Sequence, residues 1–293
     1  MAIRESPLSG SIEAALVRTE TDRTGTPGTS VDLLWLGQAG FVVRTAGRTL
    51  LIDPYLSDSL AKKYAGKIYP HIRAMPAPLS PAQARGIDAV LCTHRHSDHM
   101  DPGTLPDVAA QNPPCIFVIP KAARGRALEI GLAAERIAAM ADGDRLLPFE
   151  GISIEALPSA HEERKRNERG EDEFLGYILR AGGVALYHSG DCVPYPGLRE
   201  RLAGLHIDAA LLPINGRDER RRSNGIPGNF TFREAVELCE GTGIPSLICH
   251  HFGMFDFNTA DLGETRTLLK EMRTGVQVLF AQVGVRYQVE GTP

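Results

Sequence analysis

From His94 to Asp101 the chain reads His-Arg-His-Ser-Asp-His-Met-Asp, placing three of its nine histidines and two aspartates within eight positions. Imidazole nitrogens and carboxylate oxygens are the donors that Zn2+ and related divalent ions prefer. His94 and His96 are two residues apart, which on extended chain turns their side chains to the same side. A short turn then brings Asp98 and His99 round. Four donors in one segment suffice for one ion. Residues of the same types end other apolar runs: His161 closes IEALPSAH, Asp191 closes VALYHSGD and His251 closes LICHH. With these the set is large enough for two ions that share a carboxylate.

Strands must carry such a set to one place. VLCTH, LLID, IEALPSAH, VALYHSGD and LICHH are short, apolar runs rich in β-branched residues, and each reads as a strand with a histidine or aspartate at its C-terminal end. Binding and catalytic groups in α/β proteins collect at such ends and in the loops just after them. VDLLWLGQAGFVVRT and GRTLLIDPYLS read as strand, turn, strand. DPGTLPDVAAQN predicts a helix, CIFVIP a strand, and KAARGRALEIGLAAERIAAMA one or two helices. DRLLPFEGISIEALPSAH predicts two strands around a glycine turn, and FLGYILRAGGVALYHSGD a hairpin around Gly182-Gly183. From residue 196 helices and strands alternate. No proline- or glycine-rich linker divides the middle of the chain, so residues 31–293 read as one α/β domain. Residues 1–30, ending in the polar TDRTGTPGTS, read as a tail or a short helix plus a loop.

Composition narrows the classes further. Of 293 residues, 43% are hydrophobic and 23% charged, with a formal net charge of −4. That is ordinary for a globular protein, and it offers no basic excess for nucleic acid or an anionic membrane. The five scattered cysteines, without a CxxC, make a poor disulfide framework and read as buried small hydrophobes. No apolar run approaches the ~18 residues of a membrane span. The N-terminus lacks the apolar core of a signal peptide, so the expected location is cytoplasmic.

The pattern His94-x-His96-x-Asp98-His99, followed in order by His161, Asp191 and His251 and preceded by Asp53, resembles the metallo-β-lactamase superfamily over nearly the whole chain from Leu34. GQAGF, DPYLSD, PSAHE, YHSGD and HHFGMF together resemble the branch that holds the L-ascorbate-6-phosphate lactonases, and more distantly the phospholipase D acting on N-acyl phosphatidylethanolamine. The resemblance implies an αββα sandwich, two mixed β-sheets flanked by helices, with metals at one edge. It implies two divalent ions, Zn2+ or Mn2+. His94, His96 and His161 would hold the first, Asp98, His99 and His251 the second, with Asp191 bridging. It implies a water activated between the ions that opens a small anionic, sugar-phosphate-like lactone. Asp98 would then serve as proton shuttle, and Asp53 would orient a ligand histidine. A phosphodiesterase on the same ligands is the alternative, and a non-catalytic metal-binding relative a third. A possible homo-oligomer is also implied.

His250 and His251 are adjacent on a strand end and face opposite ways. The HxGxF-type ending selects His251 as ligand, leaving His250 as a supporting, pocket or packed residue. His188, an odd offset from Asp191, is expected at the substrate or in packing. The loop NGRDERRRSNGIPGNF offers Asn215, Arg217 and Arg220, with Arg221 and Arg222, as contacts for an anionic small molecule. Charge runs are usually a solvated face, so the loop carries that reading too. Tyr55, Tyr195 and Phe255 flank motif residues and are expected to line the pocket. The mixed-charge run 163–173 reads as an exposed loop at its mouth. Isolated His71 and His206 read as packed or surface histidines.

Overall fold

The structure, a computed structural model, describes residues 2–17 and 29–291. Its strands form two sheets. The first has the order β1 (Arg4–Pro7), β15 (Val285–Glu290), β2 (Ser30–Gly37), β3 (Gly40–Thr45), β4 (Arg48–Ile52), β5 (Ala89–Leu91), β6 (Ile116–Pro120), β7 (Ile137–Met140). The second has the order β14 (Gln277–Phe280), β13 (Ser246–His250), β12 (Ala209–Pro213), β11 (Val184–His188), β10 (Leu175–Ala181), β9 (Ile152–Pro158), β8 (Arg145–Phe149). Each sheet is antiparallel at its hairpins, and in the first sheet also where the C-terminal β15 inserts between β1 and β2, and parallel where helices return the chain. The parallel runs are β4 to β7 in one and β11 to β14 in the other.

The sequence pattern explains the layering. Along β2 and β3, Leu33, Trp35, Phe41 and Val43 face the second sheet and meet Ile154, Ala156, Tyr177 and Leu186 in the central core. The alternate residues Leu34, Leu36 and Val42 pack outward under α1 (Ile12–Leu16), through Ile12 and Leu16, and under α3 (Leu105–Gln111), through Leu105 and Val108. A strand buried on both faces has no polar alternation to show, which is why the stretch 33–36 is apolar throughout. Between these helices in sequence lies α2 (Ser59–Lys63); after them come α4 (Arg124–Glu129), α5 (Leu198–Leu202), α6 (Glu219–Ser223), α7 (Phe232–Thr242) and α8 (Leu262–Met272). Helices α5 and α7 bury Leu198, Leu202, Phe232, Ala235 and Val236 against the second sheet. Thr231 and Glu234 close a capping box at the start of α7, and Gly243 ends it in the left-handed conformation. The architecture is the αββα sandwich expected from the sequence. The β10–β11 hairpin turns on Gly182 (φ 56°) and Gly183 (φ 72°), the two left-handed residues a tight primed turn requires.

Two segments differ from the sequence reading. Arg4–Pro7 pairs antiparallel with Val285–Gln288, so the N-terminal stretch, read as a tail or a short helix plus a loop, supplies the edge strand of the first sheet as well as the short helix α1. Burial of Ile3, Ile12 and Leu16 anchors it. The TDRTGTPGT part of that stretch, apart from its last residue, lies outside the described residues. In the long alanine-rich run only Arg124–Glu129 is α-helical, and Ile137–Met140 pairs parallel to β6. Local helix preference there loses to ladder bonds and to the burial of Met140. All five cysteines are free and buried. Among the described residues no helix is long and apolar enough to cross a membrane.

Candidate metal centre

The C-terminal ends of β4, β5, β9, β11 and β13 open onto one edge of the sandwich. There the chain leaves its strands abruptly: Asp53 (φ 43°) and His251 (φ 62°), and Gln38 (φ 51°) in the β2–β3 turn, all have left-handed backbone without being glycine. Such a conformation costs an L-residue about 1–2 kcal/mol, and it swings these side chains over the rim. Gly190 (φ 60°), just before Asp191, lies so close to Thr93 that a Cβ would meet it at 2.7 Å. The β11 turn can therefore approach the β5 turn only with glycine at that position.

Three overlapping groups of donors result: His94, His96 and His161; His94, His99 and Asp191; Asp98, His99 and His251. Within each, the donor atoms lie within 4.8 Å of one another. The seven residues singled out as donors from the sequence are thus brought together. Asp191 is central: its Oδ1 is 3.3 Å from His99 Nε2 and 3.2 Å from His251 Nε2, and its Oδ2 is 3.5 Å from His161 Nε2. Asp98 Oδ2 lies 3.7 Å from His99 Nε2 and 3.8 Å from His251 Nε2.

A second ring of bonds aims the imidazoles. Asp53, fully buried, accepts from Thr93 N (2.7 Å), Thr93 Oγ1 (2.6 Å) and His99 Nδ1 (2.7 Å). Since the Thr93 hydroxyl donates to Asp53, its oxygen accepts from His94 Nδ1 at 3.1 Å. His161 Nδ1 donates to the carbonyl of Gly228 at 3.1 Å. Each ring is thereby fixed with Nε2 turned to the cluster and its lone pair free. One buried carboxylate thus sets two histidines, one directly and one through a hydroxyl.

The donor set fits a divalent cation on two grounds. His94 Nε2, His99 Nε2 and Asp191 Oδ1 are buried without a hydrogen-bond partner, and buried polar atoms are rarely left so. Burial also pushes the imidazoles of His94, His96 and His161 below the ordinary histidine range, His96 to about 4, which keeps them neutral as a ligand must be. Burial opposes ionisation of Asp191, yet the imidazoles of His251, His99 and His161 outweigh it and hold the carboxyl well below its usual range. His99 shows the converse. Burial disfavours its charge, but Asp191, Asp53 and Asp98 more than offset that and raise its pKa well above normal. Three carboxylates gathered round one imidazole is a field that invites a cation.

The cluster opens onto a cleft of about 900 Å³ that is also lined by Lys63, Lys67, Arg95 and Arg126 and by Tyr64, His71 and Phe255. A side cavity of about 510 Å³ adjoins His96 and His161 and is lined by Glu162, Glu163, Lys165, Phe174 and Arg222.

Several residues expected at the substrate lie elsewhere. His188 is buried, accepting from Gly190 N at 3.0 Å and donating to the carbonyl of Ala39 at 3.0 Å, so both ring nitrogens are engaged within the core. Tyr195 donates to the Pro158 carbonyl at 2.7 Å and packs against the central core, away from the cleft. Asn215 is buried and donates to Asn258 at 2.8 Å. Arg217 is paired through two nitrogens with Glu234 at 2.7 and 2.6 Å, and Arg220 is exposed on α6, off the cleft. Arg221 bonds Asp218, the Asn215 carbonyl and Asn258. Of the loop arginines only Arg222 faces a cavity at the site, and it sits 3.7 Å from Glu162. A polar loop next to a strand end therefore braces itself. His250, read as a supporting, pocket or packed residue, is the packed one: it stacks on His188 (centroids 4.9 Å apart) and meets Phe41 edge-on. Tyr55 is fully buried, whereas Phe255 does line the cleft.

Sequence reasoning missed Gln38, Thr93, Lys63, Lys67, Arg95, Arg126 and His71. His71 stacks on Tyr64 at 4.2 Å in the cleft wall. The one local signal was the three lysines of SLAKKYAGK, on and after a short helix. Asp101, the last acidic residue of the opening cluster, points away from the donors. It accepts from Ser57, Ser59, Gly103 and Thr104, tying the start of the cationic wall to the histidine turn.

Comparison with known proteins agrees with this geometry. A family model described as a beta-lactamase superfamily domain matches residues 48–252. A probable L-ascorbate-6-phosphate lactonase of Escherichia fergusonii is 26% identical, over 89% of this chain and 81% of its own. A metal-dependent hydrolase of Myxococcus xanthus is 25% identical, over 97% of this chain and 90% of its own. Among solved structures, an isothiocyanate hydrolase from Delia radicum gut bacteria superposes with a TM-score of 0.69 at 18% identity, covering 89% of this chain and all of that one. With the family match spanning more than two thirds of its length and the sandwich and donor cluster in place, this chain belongs to the metallo-β-lactamase superfamily, as a metal-dependent hydrolase of that fold.

Proposed function

We propose that the protein opens a small lactone bearing an anionic, sugar-phosphate-like group, using two divalent cations. The observation that carries this reading is the placement of four cationic side chains, Lys63, Lys67, Arg95 and Arg126, on the walls above the donor cluster, in a chain whose net charge is −4. The likeness to a probable L-ascorbate-6-phosphate lactonase supports it.

His94, His96 and His161 would hold one cation, and Asp98, His99 and His251 the other, with Asp191 shared. Zn2+ or Mn2+ bound there supplies Lewis acidity, polarising a carbonyl and bringing the pKa of a water from 15.7 to about 7. The protein's own residues do the rest. Lysine and arginine on the walls bind the anionic group and hold the ring over the cluster, which spares the reaction its orientational entropy. Tyr64, Leu60, Ile226 and Phe255 give the same cleft an apolar lining for the rest of the substrate. Asp98 lines the cleft, and with one oxygen holding the cation its other oxygen would be available to carry a proton to the departing alkoxide.

A hydrolysis screen of protein loaded with Zn2+ or Mn2+ tests this. It should offer sugar lactones with and without a phosphate, and bis-p-nitrophenyl phosphate. Preference for the phosphorylated lactone is expected; cleavage of the phosphodiester with no lactone opened contradicts the proposal. For a phosphorylated lactone, Lys63→Ala with Lys67→Ala should raise KM by about 10- to 100-fold and leave kcat within a few-fold, because a remote charge pair adds binding shared by ground and transition states. An unchanged KM would remove these lysines from recognition.

A further inference from the structure

Gln38 occupies the turn between β2 and β3 and is 1% exposed. Its main chain is fixed from both sides: the carbonyl accepts from Trp35 Nε1 at 3.0 Å and from His251 N at 2.9 Å. The side-chain carboxamide reaches two donors of the cluster that arrive on different strands. Nε2 lies 2.9 Å from Asp98 Oδ2 and 3.0 Å from His251 Nε2, while Oε1 is buried with no hydrogen-bond partner. A carboxamide can present either terminus by a half turn about its last bond. The half turn exchanges one unpartnered buried atom for another. It also puts an oxygen about 3 Å from both a carboxylate oxygen and an imidazole nitrogen. Without a cation two oxygens would then repel. With one, donors bonded to a common ion at about 2.0–2.2 Å are separated by close to that distance.

We propose that the Gln38 carboxamide, presenting its oxygen, is a further ligand of the cation position formed by Asp98, His99 and His251. This rests on the two-cation reading given above. An added neutral oxygen donor beside one carboxylate and two imidazoles makes that position harder than the histidine-rich one, and so better suited to Mn2+ relative to Zn2+.

Calorimetric titration of metal-free wild type, Gln38→Ala and Gln38→Glu with Mn2+ and with Zn2+ separates the possibilities without a substrate. Wild type should bind two ions. Gln38→Ala should weaken the second by 10-fold or more, Mn2+ more than Zn2+, and leave the first unchanged, which also reports that the variant is folded. The sign for Gln38→Glu decides the role. As a ligand, a glutamate oxygen restores or tightens the second ion. If Gln38 acts only as an N–H donor to Asp98, a second carboxylate there cannot donate and repels, and Gln38→Glu binds that ion more weakly than Gln38→Ala. That order, or a Gln38→Ala variant that binds both ions as wild type does, overturns the proposal. A wild type that binds one ion overturns both this inference and the two-cation reading on which it rests.

Discussion

On the two-cation proposal, replacing Asp191 by alanine is expected to reduce kcat/KM by about 10³-fold or more and to lower bound metal from two ions per chain to one or none. The reason is geometric. This carboxylate stands between His99, His251 and His161 at 3.2–3.5 Å, so its loss removes a donor from both proposed cation positions together. A thousandfold loss corresponds to about 4 kcal/mol of transition-state stabilisation, a reasonable share of what a two-metal site contributes. Asp191→Asn keeps the size and drops the charge, and should fall nearly as far if charge is what the position supplies. Metal analysis beside steady-state kinetics reads both effects. An alanine variant that retained two ions and wild-type turnover would show that Asp191 is not shared between them.

Asp53→Ala should be the most destabilising single change at the site. Asp53 touches no cleft residue other than through His99, yet it satisfies the Thr93 amide, the Thr93 hydroxyl and His99 Nδ1 at once. Removing one member of a buried hydrogen-bonded charge network typically costs about 3–5 kcal/mol. Asp53→Asn separates the roles. The amide preserves volume but cannot accept from all three donors, so the fold survives while His99, and through Thr93 also His94, lose their fixed tautomers. Metal affinity should drop by about 10- to 100-fold, as supporting carboxylates commonly cause. Thermal unfolding of the metal-free proteins and a metal titration read the two terms separately. Equal metal affinity in Asp53→Asn and wild type would mean that the hydrogen bond to His99 does not tune the site.

How much of this was legible in the sequence differs by level. The donor cluster was, because donors at strand ends combine a strong local signal, short apolar runs, with residue types that have few other reasons to recur there. His94, His96, Asp98, His99, His161, Asp191 and His251 all converge. The expectation for Asp53 also matches its bond to His99. The other residues that line the cleft were not legible. Arg217 and Arg220 looked available because sequence shows charge but not partners, and Glu234, which holds Arg217, lies 17 residues away. His188 and His250 looked functional by type, yet both are buried and stack on each other in the core. The cleft walls come from Lys63, Lys67 and Arg126, which no motif marks. Their position follows from how α2 and α4 sit over the sheet edge, and only tertiary packing decides that. Edge strands were hard for the same reason. Arg4–Pro7 is too short and polar to read as a strand until Val285–Gln288 lies beside it.

The central claim is that one edge of the sandwich holds two cations in two defined donor groups. Anomalous diffraction from crystals of the metal-loaded protein, recorded on both sides of the metal's absorption edge, tests it most directly. The account predicts two peaks, one among His94, His96 and His161 and the other among Asp98, His99 and His251, with Asp191 touching both. A single peak, or peaks away from these side chains, would contradict it.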